Sequence, residues 1–309
     1  MKIAIWLENT IPEFRFSERA RKRLKERLPD ADIHSAESET QFIEILPDAD
    51  VAVVWHFEQE WFDLAPKLKI LATPAAGKDF FTVDLPEGVK KLHGSFHGEI
   101  MAESVVAMIL ACSRGILSAH EWQRHEPWAR LQIASKMRSL RDQNIVILGF
   151  GSIGDWIARM LKPFGVRVTG IKRTVMEKPE YFGPRDRIVS IDLLDSMLTE
   201  ADHLVMVLPS GEATDKMLNA DRIALLPKRA YVHNVGRGNS IDEAALAEAL
   251  RKGAISGACL DVFSEEPLKR TNPLYASPNV LLTPHVSAIG EQYIPLYMEE
   301  VADAIMDLD

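Results

Sequence analysis

The sequence predicts an α/β protein built as two parallel-sheet domains, the second larger and doubly wound. Three observations carry that expectation. Short β-rich runs alternate with longer helical patterns along all 309 residues. A glycine-rich turn, GFGSIG at 149–154, lies between a hydrophobic strand and a helical run. A second series of strands starts at that turn, and a chain of this length can bury two cores.

The first series opens with KIAIWL. In SERARKRLKERL the residues Ala20, Leu24 and Leu28 fall four apart and share one helix face. ADIHSA, DVAVVWH, LKILAT and VKKLHGS then read as strands separated by helical or turn material. From Glu99 to Ala119 the run EIMAESVVAMILACSRGILSA is apolar almost all round, which predicts one helix buried between domains or in a dimer interface. Glu99, Glu103 and Arg114 weigh against its crossing a membrane.

In the second series the strand candidates are NIVILG, VRVTGI, HLVMVLP, RAYVHNVG, ISGACLDVF and NVLLTPH. Between them, DLLDSMLTEA and DEAALAEALRKG predict helices, and Gly253 is a helix C-terminal stop for the latter. The final helix, YIPLYMEEVADAIMDL, is free to pack back on the first domain.

Composition excludes several classes. A net charge of −9 argues against a general nucleic-acid binder, because polyanion binding relies on many Lys and Arg contacts. Cys112 and Cys259 each sit in an apolar run, as two buried reduced thiols would. The N-terminus MKIAIWLENTIPEF turns acidic too soon for a signal peptide, and no apolar run approaches the roughly 20 residues of a bilayer span. A soluble cytoplasmic protein is expected.

Gly149, Gly151 and Gly154 carry the first functional reading. One glycine makes the tight turn, the second lets the main chain approach a pyrophosphate, and the third lets helix and strand pack closely. The free N–H groups at the helix start favour phosphate, so a dinucleotide site is expected, with Ser152 and Ile153 in its turn and Leu208 and Pro209 at the end of HLVMVLP. About twenty residues further on, an Asp or Glu would be expected to hold the ribose of NAD. The sequence has Lys172, Arg173 and Thr174 there. Two cations and a hydroxyl suit the 2′-phosphate of NADP(H), which a carboxylate would repel, so NADP(H) is preferred and NAD(H) is the alternative.

Residues just after the strands face the ligand crevice of such a sheet. Arg237 in HNVGRG, Asp261 and Glu266 in CLDVFSEEP, and His285 in LLTPH stand at three such places. Hydride transfer to a carbonyl needs a proton donor and a cation for an anionic substrate; a His–carboxylate pair and an Arg provide both.

The order of these motifs resembles the D-isomer-specific 2-hydroxyacid dehydrogenases, and KRT brings the NADP-dependent glyoxylate/hydroxypyruvate reductases of that family nearest. The resemblance implies two Rossmann-like domains: a doubly wound cofactor domain, 99–286, and a smaller flavodoxin-like substrate domain made of 1–98 and 287–309. It implies that Arg237 binds the substrate carboxylate and polarises the carbonyl, and that His285 is the acid/base. Glu266 would hydrogen-bond His285, and Asp261 would shape that region and cofactor binding. The loop TPAAGKD matches the family's substrate loop, giving Ala75, Ala76 and Gly77 as substrate-binding. A small 2-keto or 2-hydroxy acid is the partner, with a homodimer through the cofactor domain. VSAIG after the histidine departs from the family's usual xGGxT. Two other readings stay open: NAD-linked oxidation of a D-2-hydroxy acid, and a non-catalytic, corepressor-like dinucleotide sensor. His93 and His97 have the spacing of a metal pair, but with no third ligand evident no metal is expected; His56 and His97 are instead candidates to line a cleft.

Overall fold

In the computed structural model the described residues are 1–77, 81–125 and 128–308. They divide into two compact units, Met1–Ile100 with Ala288–Asp309, and Met101–Ser287. Both are α/β with wholly parallel sheets.

The first unit orders its elements as β1 (Lys2–Trp6), α1 (Glu18–Arg27), β2 (Asp32–Ser35), α2 (Glu39–Ile45), β3 (Val51–Val54), β4 (Ile70–Thr73) and β5 (Lys90–His93). The strands pair in parallel as β2-β1-β3-β4-β5. β3 and β4 are buried on both faces, the reason VAVV and ILAT are continuous apolar runs rather than alternating ones. Ser17 caps α1 by accepting from the Ala20 N–H at 3.2 Å, and Ala20 and Leu24 are its buried face. A helix near the end of the chain, described below, covers the same face of this sheet.

The second unit begins within α3 (His97–Ser113) and continues with α4 (Ile116–Trp122), α5 (Arg130–Ala134), β6 (Asn144–Leu148), α6 (Ser152–Leu161), β7 (Arg167–Lys172), β8 (Arg187–Ser190) and α7 (Leu194–Leu198). Then come β9 (His203–Met206), α8 (Ala220–Leu225), β10 (Tyr231–Asn234), α9 (Glu243–Arg251), β11 (Gly257–Leu260) and β12 (Val280–Leu282). The seven strands lie as β12-β11-β10-β9-β6-β7-β8. The last helix, α10 (Tyr293–Met306), belongs to the first unit, where Ile294, Tyr297, Met298 and Val301 are buried against Ile3, Ile5, Val51 and Val53.

Several elements differ from the sequence expectation, the short helices α5 and α8 among them. The single helix from Glu99 to Ala119 is two, α3 and α4, bent by 62°. Gly115 makes the break with φ +65°, a left-handed conformation that other residues rarely adopt, and apolar periodicity carries no mark of it. β8 was not expected, since RIVS is a short, half-buried edge strand with no apolar run. DLLDSMLTEA is helical only from Leu194 to Leu198 after a 3-10 turn at Ile191–Leu193. Among the described residues no single helix is long and apolar enough to cross a membrane.

The two faces of the larger sheet are unlike. Val146, Leu148, Leu204, Met206, Val232 and Leu260 build a wholly apolar core with α7, α8 and α9. The alternate residues include His203, His233 and Cys259, all buried. His203 Nε2 meets Gln143 Oε1 at 2.9 Å and Ser113 Oγ of α3 at 3.0 Å, while its Nδ1 lies 2.9 Å from His233 Nε2. Because Gln143 Oε1 only accepts, His203 carries its proton on Nε2 and receives one from His233 at Nδ1. Cys112 Sγ and Cys259 Sγ are 3.3 Å apart beside them, as free thiols. The Cys112 contact and burial push the Cys259 thiol well above its ordinary pKa, which keeps it protonated.

Burial pushes His203 down to about 3 and His233 well below the usual histidine range, so both are neutral in the folded protein. In the unfolded chain they take up protons near pH 6.5. Below that pH the unfolded state binds more protons, so this contribution is present above about 6.5 and lost as pH falls towards 3. We expect the unfolding free energy from urea titration to fall by up to about 1.4 kcal/mol per histidine per pH unit below about pH 6. His203→Asn and His233→Asn should each flatten that slope; an unchanged slope in the double variant would rule these groups out as its source.

Candidate active site

The winding of the larger sheet reverses between β6 and β9, with β7 and β8 outward on one side and β10 to β12 on the other. Loops leaving two such strands diverge and open a crevice at their carboxyl ends. The glycine turn lies there. Gly149 has φ +99°, and a Cβ on it would meet the Val207 carbonyl oxygen at 2.4 Å. Gly154 lets α6 settle on β6, since a Cβ would lie 2.9 Å from Gly149 O and 3.2 Å from Ile147 Cγ2. At Gly151, the N-cap of α6, nothing stands within 4 Å of such a Cβ. An open approach above the first N–H groups of a ten-residue helix, Ser152 and Ile153 among them, fits a pyrophosphate. Lys172 ends β7 with its Nζ 3.1 Å from Met176 Sδ, and Arg173 and Thr174 follow, both exposed.

β9 leads into Leu208, which is buried, and Pro209, which is exposed. A Cβ at Gly236 would fall 2.6 Å from the Leu208 N, so the turn after β10 lies directly against them. That turn carries Arg237. Asn234 Oδ1 accepts from Gly236 N at 3.1 Å, and Asn234 Nδ2 and Ser240 Oγ donate to Arg237 O at 3.0 and 2.7 Å. Arg237 Nη1 donates to Gly236 O at 3.0 Å, and the side chain is half-buried. On its other side Gly238 touches the next loop backbone to backbone, for a Cβ would overlap Phe263 C at 1.8 Å.

Phe263 N in turn donates to Glu266 Oε1 at 2.9 Å, and Glu266 Oε2 receives His285 Nδ1 at 2.7 Å. The pair is open to solvent, the His285 side chain being 52% and Glu266 36% exposed. Asp261 fixes the histidine's loop. Completely buried, its Oδ1 accepts from Thr283 Oγ1 at 2.6 Å and Val286 N at 2.9 Å, its Oδ2 from Ser287 N at 2.9 Å, and its carbonyl from His285 N at 2.8 Å. These bonds hold His285 at φ +54°, an uncommon backbone for a residue other than glycine. Glu243 of α9 ties down the loop bearing Glu266, accepting from Ser264 N at 2.6 Å and Asn272 Nδ2 at 2.9 Å. With a carboxylate on Nδ1, the imidazole keeps Nε2 for proton exchange.

Residues 106–287 match the NAD-binding domain profile of the D-isomer specific 2-hydroxyacid dehydrogenases. A glyoxylate reductase of Thermococcus onnurineus is 34% identical over 259 residues, covering 80% of this chain and 75% of the relative. The chain belongs to the D-isomer specific 2-hydroxyacid dehydrogenase family. It is an NAD(P)-dependent oxidoreductase. Two crystal structures resemble it at TM-score 0.79 and 27% identity. One is a family member from Xanthobacter autotrophicus Py2 in complex with NADPH and MES, matched over 99% of this chain and 95% of that one. The other is an NADPH-dependent glyoxylate/hydroxypyruvate reductase from Sinorhizobium meliloti with NADP and sulfate, matched over 100% and 96%.

In the dehydrogenase's first unit, Ala75 is buried, with its N–H 3.4 Å from Thr73 Oγ1, while Ala76 is exposed and Gly77 half-exposed. Lys78 and Asp79 of the same loop, and Phe80, lie outside the described residues. His56 is exposed and bonds Glu58 at 2.9 Å. His97 is buried at the start of α3, 2.9 Å from Tyr293 Oη and stacked on Phe96. No group of three or more metal-ligating side chains occurs among the described residues. Sequence reasoning passed over the residues that hold the site: Asn234, Ser240, Glu243 and Thr283. Asn and Ser bracketing the glycines of NVGRGNS were a legible turn signal; Thr283 and Glu243 act across the fold and left none.

Asp261→Ala should cost roughly 2–4 kcal/mol of stability, because it removes the acceptor of the buried Ser287 N–H, the part-buried Val286 N–H and the Thr283 hydroxyl. Thr283→Val should cost about 1 kcal/mol, since Asp261 keeps its backbone donors. Denaturant titration of both variants measures the difference, and an Asp261→Ala protein as stable as the parent would refute the assignment.

Proposed function

We propose that the protein is an NADPH-preferring reductase of small 2-keto acids of the glyoxylate or hydroxypyruvate kind, yielding the D-2-hydroxy acid. The observation that carries the reaction is the 2.7 Å contact between His285 Nδ1 and Glu266, on loops stacked against the Arg237 turn. The names of three relatives at 31–34% identity, glyoxylate reductases of Thermococcus onnurineus, Thermococcus kodakarensis and Pyrococcus furiosus, support the substrate class. The cofactor preference rests on Lys172, Arg173 and Thr174, with no carboxylate from 172 to 176.

When bound, the reduced nicotinamide supplies the hydride. Arg237 binds the substrate carboxylate and draws electron density from the carbonyl. His285, doubly protonated with Nδ1–H on Glu266, delivers the Nε2 proton to the carbonyl oxygen; Glu266 stabilises the imidazolium before transfer and fixes the neutral tautomer after it. Asp261 positions His285 by its loop. The loop 75–77 keeps the substrate-binding role that the resemblance gives it. We assign the other partner to a second copy of the chain through the cofactor-binding unit, where Ile116, Trp128 and Leu131 are 55%, 80% and 82% exposed.

Initial rates with glyoxylate, hydroxypyruvate, pyruvate and phenylpyruvate, each with NADPH and NADH, test the reading. His285→Ala should lower kcat/KM by about 10²–10⁴-fold. Arg173→Ala should reduce the preference for NADPH by roughly 10–100-fold, the worth of a bond to a charged group. Equal rates with NADH would discard the NADPH preference and keep the dehydrogenase. Cofactor binding without turnover on any acid would favour a sensor.

A further inference from the structure

The loop that leaves β7 through Arg173 and Thr174 is exposed from Arg173 to Lys178 and carries no regular structure up to Glu180. It is then fastened, and its fastening is to the glycine turn. Tyr181 Oη donates to Asp155 Oδ1 at 2.6 Å and approaches Asp155 O at 3.2 Å, in the first turn of α6. The next residue, Phe182, meets the ring of Phe150 edge-on at 5.7 Å. Phe150 stands between Gly149 and Gly151, and Gly170 of β7 leaves it room, since a Cβ there would lie 2.5 Å from its ring. Asp186 completes the anchor by accepting from Gly183 N at 2.6 Å and Val168 N at 2.8 Å.

Asp155 is an oddity at this place. A carboxylate in the first turn suits an ordinary helix, but at a helix start that holds a phosphate it would add repulsion. Both its oxygens are engaged: Oδ1 by Tyr181 and Oδ2 by Arg159 Nε at 2.7 Å, whose guanidinium also lies 4.5 Å above the Tyr181 ring. Burial and the Asp155 bond raise the Tyr181 pKa, so its hydroxyl remains a donor. Asp155 therefore serves as the post to which the Arg173 loop is tied. The pyrophosphate and 2′-phosphate belong to one ligand at a set separation, and a charged fork discriminates well only when held to about 0.5 Å.

We propose that Tyr181 is a positioning residue for cofactor selection: its bond to Asp155 fixes the loop of Arg173 and Thr174 relative to the N-terminus of α6, so that the cations meet a 2′-phosphate. This rests on the NADPH preference proposed above. No catalytic step passes through Tyr181, and its removal acts on binding and on selectivity.

Calorimetric titration of NADP⁺ and NAD⁺ into the parent, Tyr181→Phe, Asp155→Asn, Asp155→Ala and Arg173→Ala proteins tests it. Tyr181→Phe should raise the Kd for NADP⁺ by about tenfold and leave that for NAD⁺ within about twofold. Asp155→Asn keeps an acceptor for the hydroxyl and should retain the parent's Kd ratio. Asp155→Ala cuts the tether from its other end and should lose the ratio, which keeps the test valid if Tyr181→Phe does not fold. Amide hydrogen exchange over 173–180 should quicken in both tether-cut proteins. A parental ratio in Tyr181→Phe with a collapsed one in Arg173→Ala would overturn the tether and spare the cofactor reading. Equal weakening of both nucleotides would make Tyr181 merely structural and overturn it too. A parental ratio in Arg173→Ala would overturn the cofactor reading and this proposal with it.

Discussion

Close approach of backbone to backbone at the carboxyl ends of β6, β9, β10 and β11 is the constraint on which the site depends. Gly149 lies against Val207, Gly236 against Leu208 and Gly238 against Phe263, each so near that a methyl group would overlap its neighbour. Loops from four separate strands are thereby stacked into one continuous strip. The glycine turn stands at one end and the His285–Glu266 pair at the other, with Arg237 between them. Side chains alone would not give such precision, because each adds rotamers that must be frozen. Here the spacing is set by contacts between peptide groups, and the functional side chains have only to project from it.

What could be read from the sequence was local. Both sheets were legible because buried parallel strands are short continuous apolar runs such as NIVIL and VAVV, and the glycine turn because its three roles are met within six residues. Arg237, Glu266 and His285 could be singled out because each follows a strand. What the sequence hid was either silent in hydropathy or remote along the chain. The bend at Gly115 interrupts an apolar run without changing its composition. β8 is an edge strand that needs only one partner and little burial. The tie from Tyr181 to Asp155 spans 26 residues, and Asp261 grips a loop up to 26 residues away; neither pairing follows a periodicity.

The larger sheet separates two demands by face. Its apolar face follows the rule that interiors are dry and close-packed. The other buries two imidazoles, two thiols, an amide and a hydroxyl, linked to one another by specific bonds. Apolar packing tolerates small slips of register, whereas a chain of directed bonds does not. Ser113, at the last residue of α3, is thus pinned at one rotation and height over β9. The polar layer in this way fixes the helix that precedes the Gly115 bend, at the cost of the acid sensitivity described above.

The position of α10 has a consequence for how the molecule is made. The first unit takes its sheet from residues 1–100 and the helix covering that sheet from beyond residue 288, so the second unit is translated whole in between. At typical synthesis speeds that interval lasts roughly 10–40 s. Throughout it Ile3, Ile5, Val51 and Val53 wait on the nascent chain for Ile294, Tyr297 and Met298 to emerge. The cofactor-binding unit, contiguous in sequence, can close first, whereas the amino-terminal sheet is completed only once the last helix has emerged.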